Sequence, residues 1–260
     1  TSLVIKMRET AGNEYQGAGV TFDIHILATQ YTYEEDGFGN PNYDEDALYG
    51  ETITGRDDWV PERVEPVWEY ADGVYTLEVN EETASGMQAG QNGKYYRTQG
   101  IKQNMEGGYV WSVSADVQVT EAMLENTADA PYRVELWTNG RATDNAECTP
   151  NIGIYRDFEG NVGWHYWAAD GWHELAAPAQ AGWYTLTIRS DSKKIGFYVN
   201  EELVGIFDET GYYNAFNLTG FMLILYNYND YGDGTGSWEK GDDWLDNYSF
   251  SAQFRNVQYE

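Results

Sequence analysis

The sequence predicts an all-β protein, a two-sheet antiparallel β-sandwich of the jelly-roll type. Many short segments alternate apolar and polar residues or form brief apolar runs, the mark of strands. The joins between them are rich in Gly, Asn and Asp, with 28 glycines in 260 residues. Helical periodicity is scarce, and its best stretch, "TEAMLENTADA" at 120–130, would make only about three turns.

In chain order, strands are expected near 3–8, 20–28, 73–79, 95–101, 109–119, 131–138, 151–156, 162–167, 182–189, 194–199, 202–207, 218–228 and 247–258. So many short strands with turn-rich joins fit two packed sheets. Composition changes over 34–58, "EEDGFGNPNYDEDALYGETITGRDD", which is dense in acids and poor in apolar residues, as a linker or long loop would be. It separates a hairpin-like piece, 1–33, from a large body, 59–260. Two strands cannot make a stable core alone, so the first piece must lean on the body, on a missing part or on another chain.

Charge narrows the partners. Fifteen Lys and Arg stand against 43 Asp and Glu, a formal charge of −28. Such a surface repels nucleic acid and anionic lipid and disfavours polyanionic polymers. It suits neutral glycans and divalent cations, and it also serves plain solubility. The one cysteine, Cys148, excludes an internal disulfide and any Cys/His metal cluster. It sits in "NAECTPN", a polar loop beside Glu147, where an acidic setting keeps a thiol protonated. No apolar run approaches the roughly 20 residues of a membrane span. No signal peptide is visible, so the chain is cytosolic or a mature, trimmed form.

Aromatic residues make up 16% of the chain, with 22 Tyr and 10 Trp. "GNVGWHYWAADGW", 160–172, concentrates them, and strand parity sorts its faces. Val134 and Leu136 in "YRVELW" want the core, which turns Arg133, Glu135 and Trp137 outward. Ile152 and Ile154 go inward and leave Tyr155 outside, while Val162, Trp164 and Tyr166 oppose His165 and Trp167. Parity in "FMLILYNYND" is open, and one choice puts Leu223 and Leu225 inside and gives Tyr226 and Tyr228 to the outer set. Arg133, Glu135, Trp137, Tyr155, His165, Trp167, Tyr226 and Tyr228 are the candidate ligand-binding residues. Rings would supply area for the C–H face of a sugar, and the polar tips would orient its hydroxyls. The competing expectation is a second core, with a loop or the 1–33 hairpin laid over this face. His173, in "GWHEL", is expected in a loop.

A candidate metal site lies in "NYNDYGDGTGSWEKGDDWLDN", 227–247. Asp230, Asp233, Asp242, Asp243 and Asp246 stand among glycines and amides there, hard oxygen ligands of the kind Ca²⁺ takes. The spacing is not that of an EF-hand, and the competing expectation is a solvated acidic loop. Trp238 and Trp244 would wall a site or plug the end of the sandwich.

Two resemblances add to this. "GWYTLTIRSDSKKIGFYVNEELVGIFDE", 182–209, and the closing "WLDNYSFSAQFRNVQ", 244–258, resemble concanavalin-like and laminin-G-like jelly rolls. Glu201 stands where those domains usually carry Gly. The resemblance covers about 60–260. It implies the fold and often a structural Ca²⁺, and it leaves function open, because this fold hosts lectins, hydrolases and lyases. "IKMRETAGNEYQGAGVTFDIHILATQYTYEEDGFGNPNYDEDA", 5–47, is similar to the closing segment of camelysin and biofilm-matrix fibre proteins of Gram-positive bacteria. That likeness implies export and a life on the cell surface or in a matrix.

Catalysis has weaker support. The E-x-D-x-x-E strand of laminarinase-like jelly rolls is absent, since Trp137 and Asn139 follow Glu135 where further acids would stand. "YRVELW" resembles the R-x-E-L strand of jelly-roll alginate lyases, and Arg133, Tyr155 and His165 could be assembled for β-elimination. The matching Q-x-H strand and Lys-rich closing strand are missing. The expectation is a non-catalytic, secreted or cell-surface carbohydrate-binding module, lectin-like or adhesin-like, with a neutral glycan as partner. The alternatives are a structural surface or matrix protein that self-associates through strand edges, and a polysaccharide lyase or glycoside hydrolase.

Overall fold

The structure is a computed structural model. It describes residues 51–61, 67–79, 98–105, 108–125, 131–141, 147–157, 159–191, 194–208, 216–226 and 249–259. The strands are β1 (Glu51–Thr52), β2 (Trp59–Pro61), β3 (Val67–Ala71), β4 (Val74–Val79), β5 (Thr98–Asn104), β6 (Val110–Val119), β7 (Tyr132–Arg141) and β8 (Glu147–Cys148). They continue as β9 (Asn151–Arg156), β10 (Val162–Ala168), β11 (Gly171–Leu175), β12 (Gly182–Asp191), β13 (Ile195–Val199), β14 (Glu202–Phe207), β15 (Asn217–Tyr226) and β16 (Phe250–Tyr259).

These strands form two antiparallel sheets, a β-sandwich with jelly-roll layering. One runs β14-β13-β12-β6-β16-β4-β3, with β1 added on β16; the other runs β11-β10-β9-β7-β15-β5-β2, with β8 added on β7. Alternation sends one side of each sheet into a shared core. Leu77, Val113, Ala115, Val117, Leu186, Ile188, Phe197 and Phe254 come from the first sheet. Ile101, Val134, Leu136, Ile152, Ile154, Trp164, Leu223 and Leu225 come from the second. The parity expected for β7, β9 and β10 is the parity observed, and β15 takes the choice that puts Leu223 and Leu225 inside.

The expected strands near 3–8 and 20–28, the 1–33 piece and residues 34–50 of the acidic stretch lie outside the described residues. The last part of that stretch is tied to the sandwich. Thr52 pairs with Gln258, Ile53 N–H donates to Val257 O (2.9 Å), and Tyr75 Oη donates to Ile53 O (3.2 Å).

Three local expectations are corrected. The helix expected over 120–130 is described as one turn, α1 (Glu121–Leu124). Thr120 Oγ1 caps it by accepting from Met123 N, and the backbone is extended again at Glu125. Tertiary donors replace further turns: Tyr132 Oη donates to Met123 O (2.7 Å), and the buried Arg156 guanidinium donates to the carbonyls of Ala122 and Met123. His173 belongs to β11, not to a loop. β11 folds back from β10 through Ala169–Asp170, and His173 faces Tyr166, with ring centroids 4.4 Å apart. Cys148 lies on β8 beside Gly140 and is buried.

The hairpin β13–β14 explains Glu201. Asn200 and Glu201 both take positive φ (48° and 67°), as a two-residue loop of the primed type requires, although Gly would meet that demand at lower cost. Asn200 compensates by bonding across to β12, where its Oδ1 accepts from Thr185 N (2.9 Å).

Candidate functional site

The outer face of the second sheet carries the aromatic concentration, and strand register arranges it in rows. One row reads Ile224, Glu135, Gly153, His165, Glu174 across β15, β7, β9, β10 and β11. The next reads Met222, Trp137, Asn151, Trp167, Trp172. On the other side Tyr226, Arg133, Tyr155 and Gly163 align.

Gly153 decides the centre. It has no side chain, so Glu135 and His165 meet above it from the two flanking strands, with Nε2 2.7 Å from Oε1. A Cβ at this position would collide with Val134 O and stand 2.6 Å from Glu135 Cγ. The second Glu135 oxygen accepts from Trp137 Nε1 at 2.6 Å. Glu135 is 0% exposed and His165 3%. Burial pushes the Glu135 carboxyl up. The hydrogen bond and charge of His165, the charge of Arg133 and the Trp137 N–H outweigh it, and hold the group below the ordinary glutamate value.

That direction fixes a pH dependence. An acid with a lowered folded-state pKa adds stability in full above the unfolded value, and the contribution disappears as pH falls through the folded value. Melting temperature should therefore drop as pH goes below about 4.3, the unfolded glutamate value. The difference between wild type and Glu135→Gln, recorded by thermal melts across that range, should narrow with acid. A constant difference would remove the lowered carboxyl from the account.

Among the described residues, the cover over this pair comes from the same face. Tyr155 stacks on His165 (centroids 4.9 Å, 12°), helped by the missing side chain at Gly163. Trp172 leans from β11 onto His165 (4.7 Å), and the Arg133 guanidinium lies 4.5 Å above the Trp172 ring. The face is thus neither an open platform nor wholly a second core. Glu135, Tyr155, His165 and Tyr226, candidates for the platform, are buried as the second-core expectation has them. Arg133, Trp137 and Trp167 are half-buried, and Trp172, absent from the sequence-based set, is 40% exposed. Its signal was the alternation Trp172/Glu174 against His173/Leu175, too short to mark a strand before the β10 partner is known.

Trp137 is a held ring. Its N–H is fixed on Glu135, and its body packs on Met222, Ile224 and Tyr226, a small apolar cluster separate from the main core. Beside it in register stands Asn151, 1% exposed. Asn151 Nδ2 donates to Thr149 O (3.3 Å), which orients the amide and leaves Oδ1 with no hydrogen-bond partner among the described residues. A buried acceptor in that condition costs about 1–3 kcal/mol.

Tyr228, Trp238, Trp244 and the candidate calcium ligands Asp230, Asp233, Asp242, Asp243 and Asp246 lie outside the described residues. Among the described residues no group of three or more His, Cys, Asp or Glu is placed to hold a metal.

No family model matches the chain, and no curated protein sequence does. Among solved structures the chain is similar to a sialidase, at 8% identity and TM-score 0.49 over 78% of this chain, of which it spans 17%. It is similar to the carbohydrate-binding module CBM66 from Bacillus subtilis, at 10% identity and TM-score 0.40, over 81% of this chain and 99% of that one. A Bacillus licheniformis β-glucanase gives 12% identity and TM-score 0.45, over 81% and 95%.

Proposed function

We propose that the protein is a non-catalytic carbohydrate-binding module, with sugar laid on the outer face of its second sheet along Trp137, Trp167 and Trp172. The observation that carries this is the held indole of Trp137, pinned through Nε1 and bedded on Met222, Ile224 and Tyr226 while still half-buried. An immobilised ring pays little ordering entropy when a ligand stacks on it. The non-catalytic part rests on Glu135 and His165, which are turned toward each other and covered by Trp172, so neither is poised over a substrate. The formal charge of −28 favours a neutral glycan. A secreted or cell-surface setting, implied by the resemblance of residues 5–47, suits such a module.

A panel of neutral oligosaccharides followed by calorimetry tests the proposal. Trp137→Ala should weaken the best ligand by on the order of 2 kcal/mol, roughly 30-fold. Silence of the whole panel, or equal binding by the variant, would sink it.

One observation favours a second reading, a polysaccharide lyase. Arg133 and Tyr155 are paired in register and Tyr155 stacks on His165, so a cation, a phenol and an imidazole do gather. Loss of ultraviolet-absorbing unsaturated product from alginate or pectate on His165→Gln would establish it; no product from the wild type would exclude it.

A further inference from the structure

We infer that this face takes a neutral oligosaccharide in extended form, lying across the strands, with a hydroxyl between two stacked sugars donating to Asn151 Oδ1. The inference rests on the sugar-binding proposal and adds the ligand's shape and its central polar contact.

Among the described residues, the polar groups beside Asn151 Oδ1 are committed elsewhere. Trp137 Nε1 is committed to Glu135, Asn151 Nδ2 to Thr149, and His165 Nε2 faces Glu135. Asn151 Oδ1 is left as an acceptor that needs a donor. A sugar hydroxyl supplies one. A carboxylate or phosphate has none.

Spacing sets the shape. Trp137 and Trp167 stand in register on either side of Asn151, two strand spacings apart. That is roughly 10 Å between backbones, two sugar repeats, so the first and third rings of an extended chain would meet the two indoles. In backbone register Trp172 continues the line one strand further, with its ring leaning toward His165.

The two flanking indoles differ in freedom. Trp137 is pinned, whereas the Trp167 side chain makes no hydrogen bond or ring contact among the described residues. Asn151 is buried, so one neighbour must turn aside for a ligand to reach it, and Trp167 is the one free to do so. Binding then selects a conformer with Trp167 swung outward.

The test uses the whole chain with a β-1,4-linked glucose disaccharide and tetrasaccharide, measured by calorimetry. The tetrasaccharide should bind about tenfold tighter or better, because only it reaches both indoles. Asn151→Leu should weaken the tetrasaccharide about tenfold while leaving the melting temperature unchanged or higher, since an unpaired acceptor gives way to an apolar group. A purely structural Asn151 would give the reverse, a lower melting temperature with binding intact. Equal affinity for the two lengths, or tetrasaccharide binding within twofold in Asn151→Leu, overturns the inference. Should that variant not fold, Trp167→Ala decides: it should bring the two lengths to similar affinity, and a retained length preference overturns the inference. Silence toward both glucans also overturns it, and leaves the sugar-binding proposal to the wider neutral panel.

Discussion

Replacing His165 by alanine is expected to destabilise the fold by about 3–5 kcal/mol, the cost of leaving a buried charge without its partner. Glu135 keeps only the Trp137 N–H and the Arg133 charge once the imidazole is gone, and it is 0% exposed, so water cannot take over. The stacking of His165 between Tyr155 and Trp172 is lost in the same step. Urea denaturation at neutral pH measures the effect. The double variant Glu135→Leu with His165→Leu separates charge from packing: removing both partners of a buried pair is often neutral or stabilising, so it should recover much of the loss. A His165→Ala variant within about 1 kcal/mol of wild type would mean that solvent reaches the carboxylate. That result would also weaken the case that Trp172 and Tyr155 seal the pair.

Gly153→Ala should be comparably damaging for a steric reason. The new methyl would strike the Val134 carbonyl and stand 2.6 Å from Glu135 Cγ and 2.9 Å from Glu135 Cα. Val134 and Glu135 belong to β7, paired with β9 and β15 on its two sides, so the backbone cannot retreat without opening a ladder. Overpacking of this kind costs about 1–3 kcal/mol, and more where backbone must move. Gly108→Ala is the control. An added Cβ there meets nothing within 4 Å, and thermal melts should place it near wild type. Near-equality of the two variants would show that β7 and β9 can separate, and the close approach of Glu135 to His165 would lose its explanation.

The two variants probe what lay beyond the sequence. "YRVELW" and "VGWHYW" show by alternation that Glu135 and His165 share a face with Trp137 and Trp167, and the structure has them there. Nothing in either string shows that Gly153 stands opposite both, because register depends on hydrogen bonds between segments distant in the chain. Trp172 escaped notice for the same cause: five residues of alternation mark a strand only once β10 lies beside them. The helical stretch at 120–130 is described as one turn because Arg156, far along the chain, and Tyr132 at the start of β7 take the carbonyls that further turns would have bonded.

By itself the sequence determined the sandwich, the sorting of each strand into a core side and an outer side, and the acidic character that favours neutral partners. These follow from period-two alternation, turn chemistry and composition, which are local or additive properties of a chain. Only the tertiary structure decided that the outer face is half sealed, with the Glu135–His165 pair beneath Trp172, a pinned indole at Trp137 and an unpaired amide oxygen at Asn151. Those depend on which strand lies beside which and in what register, and that is fixed by packing contacts that no single segment encodes.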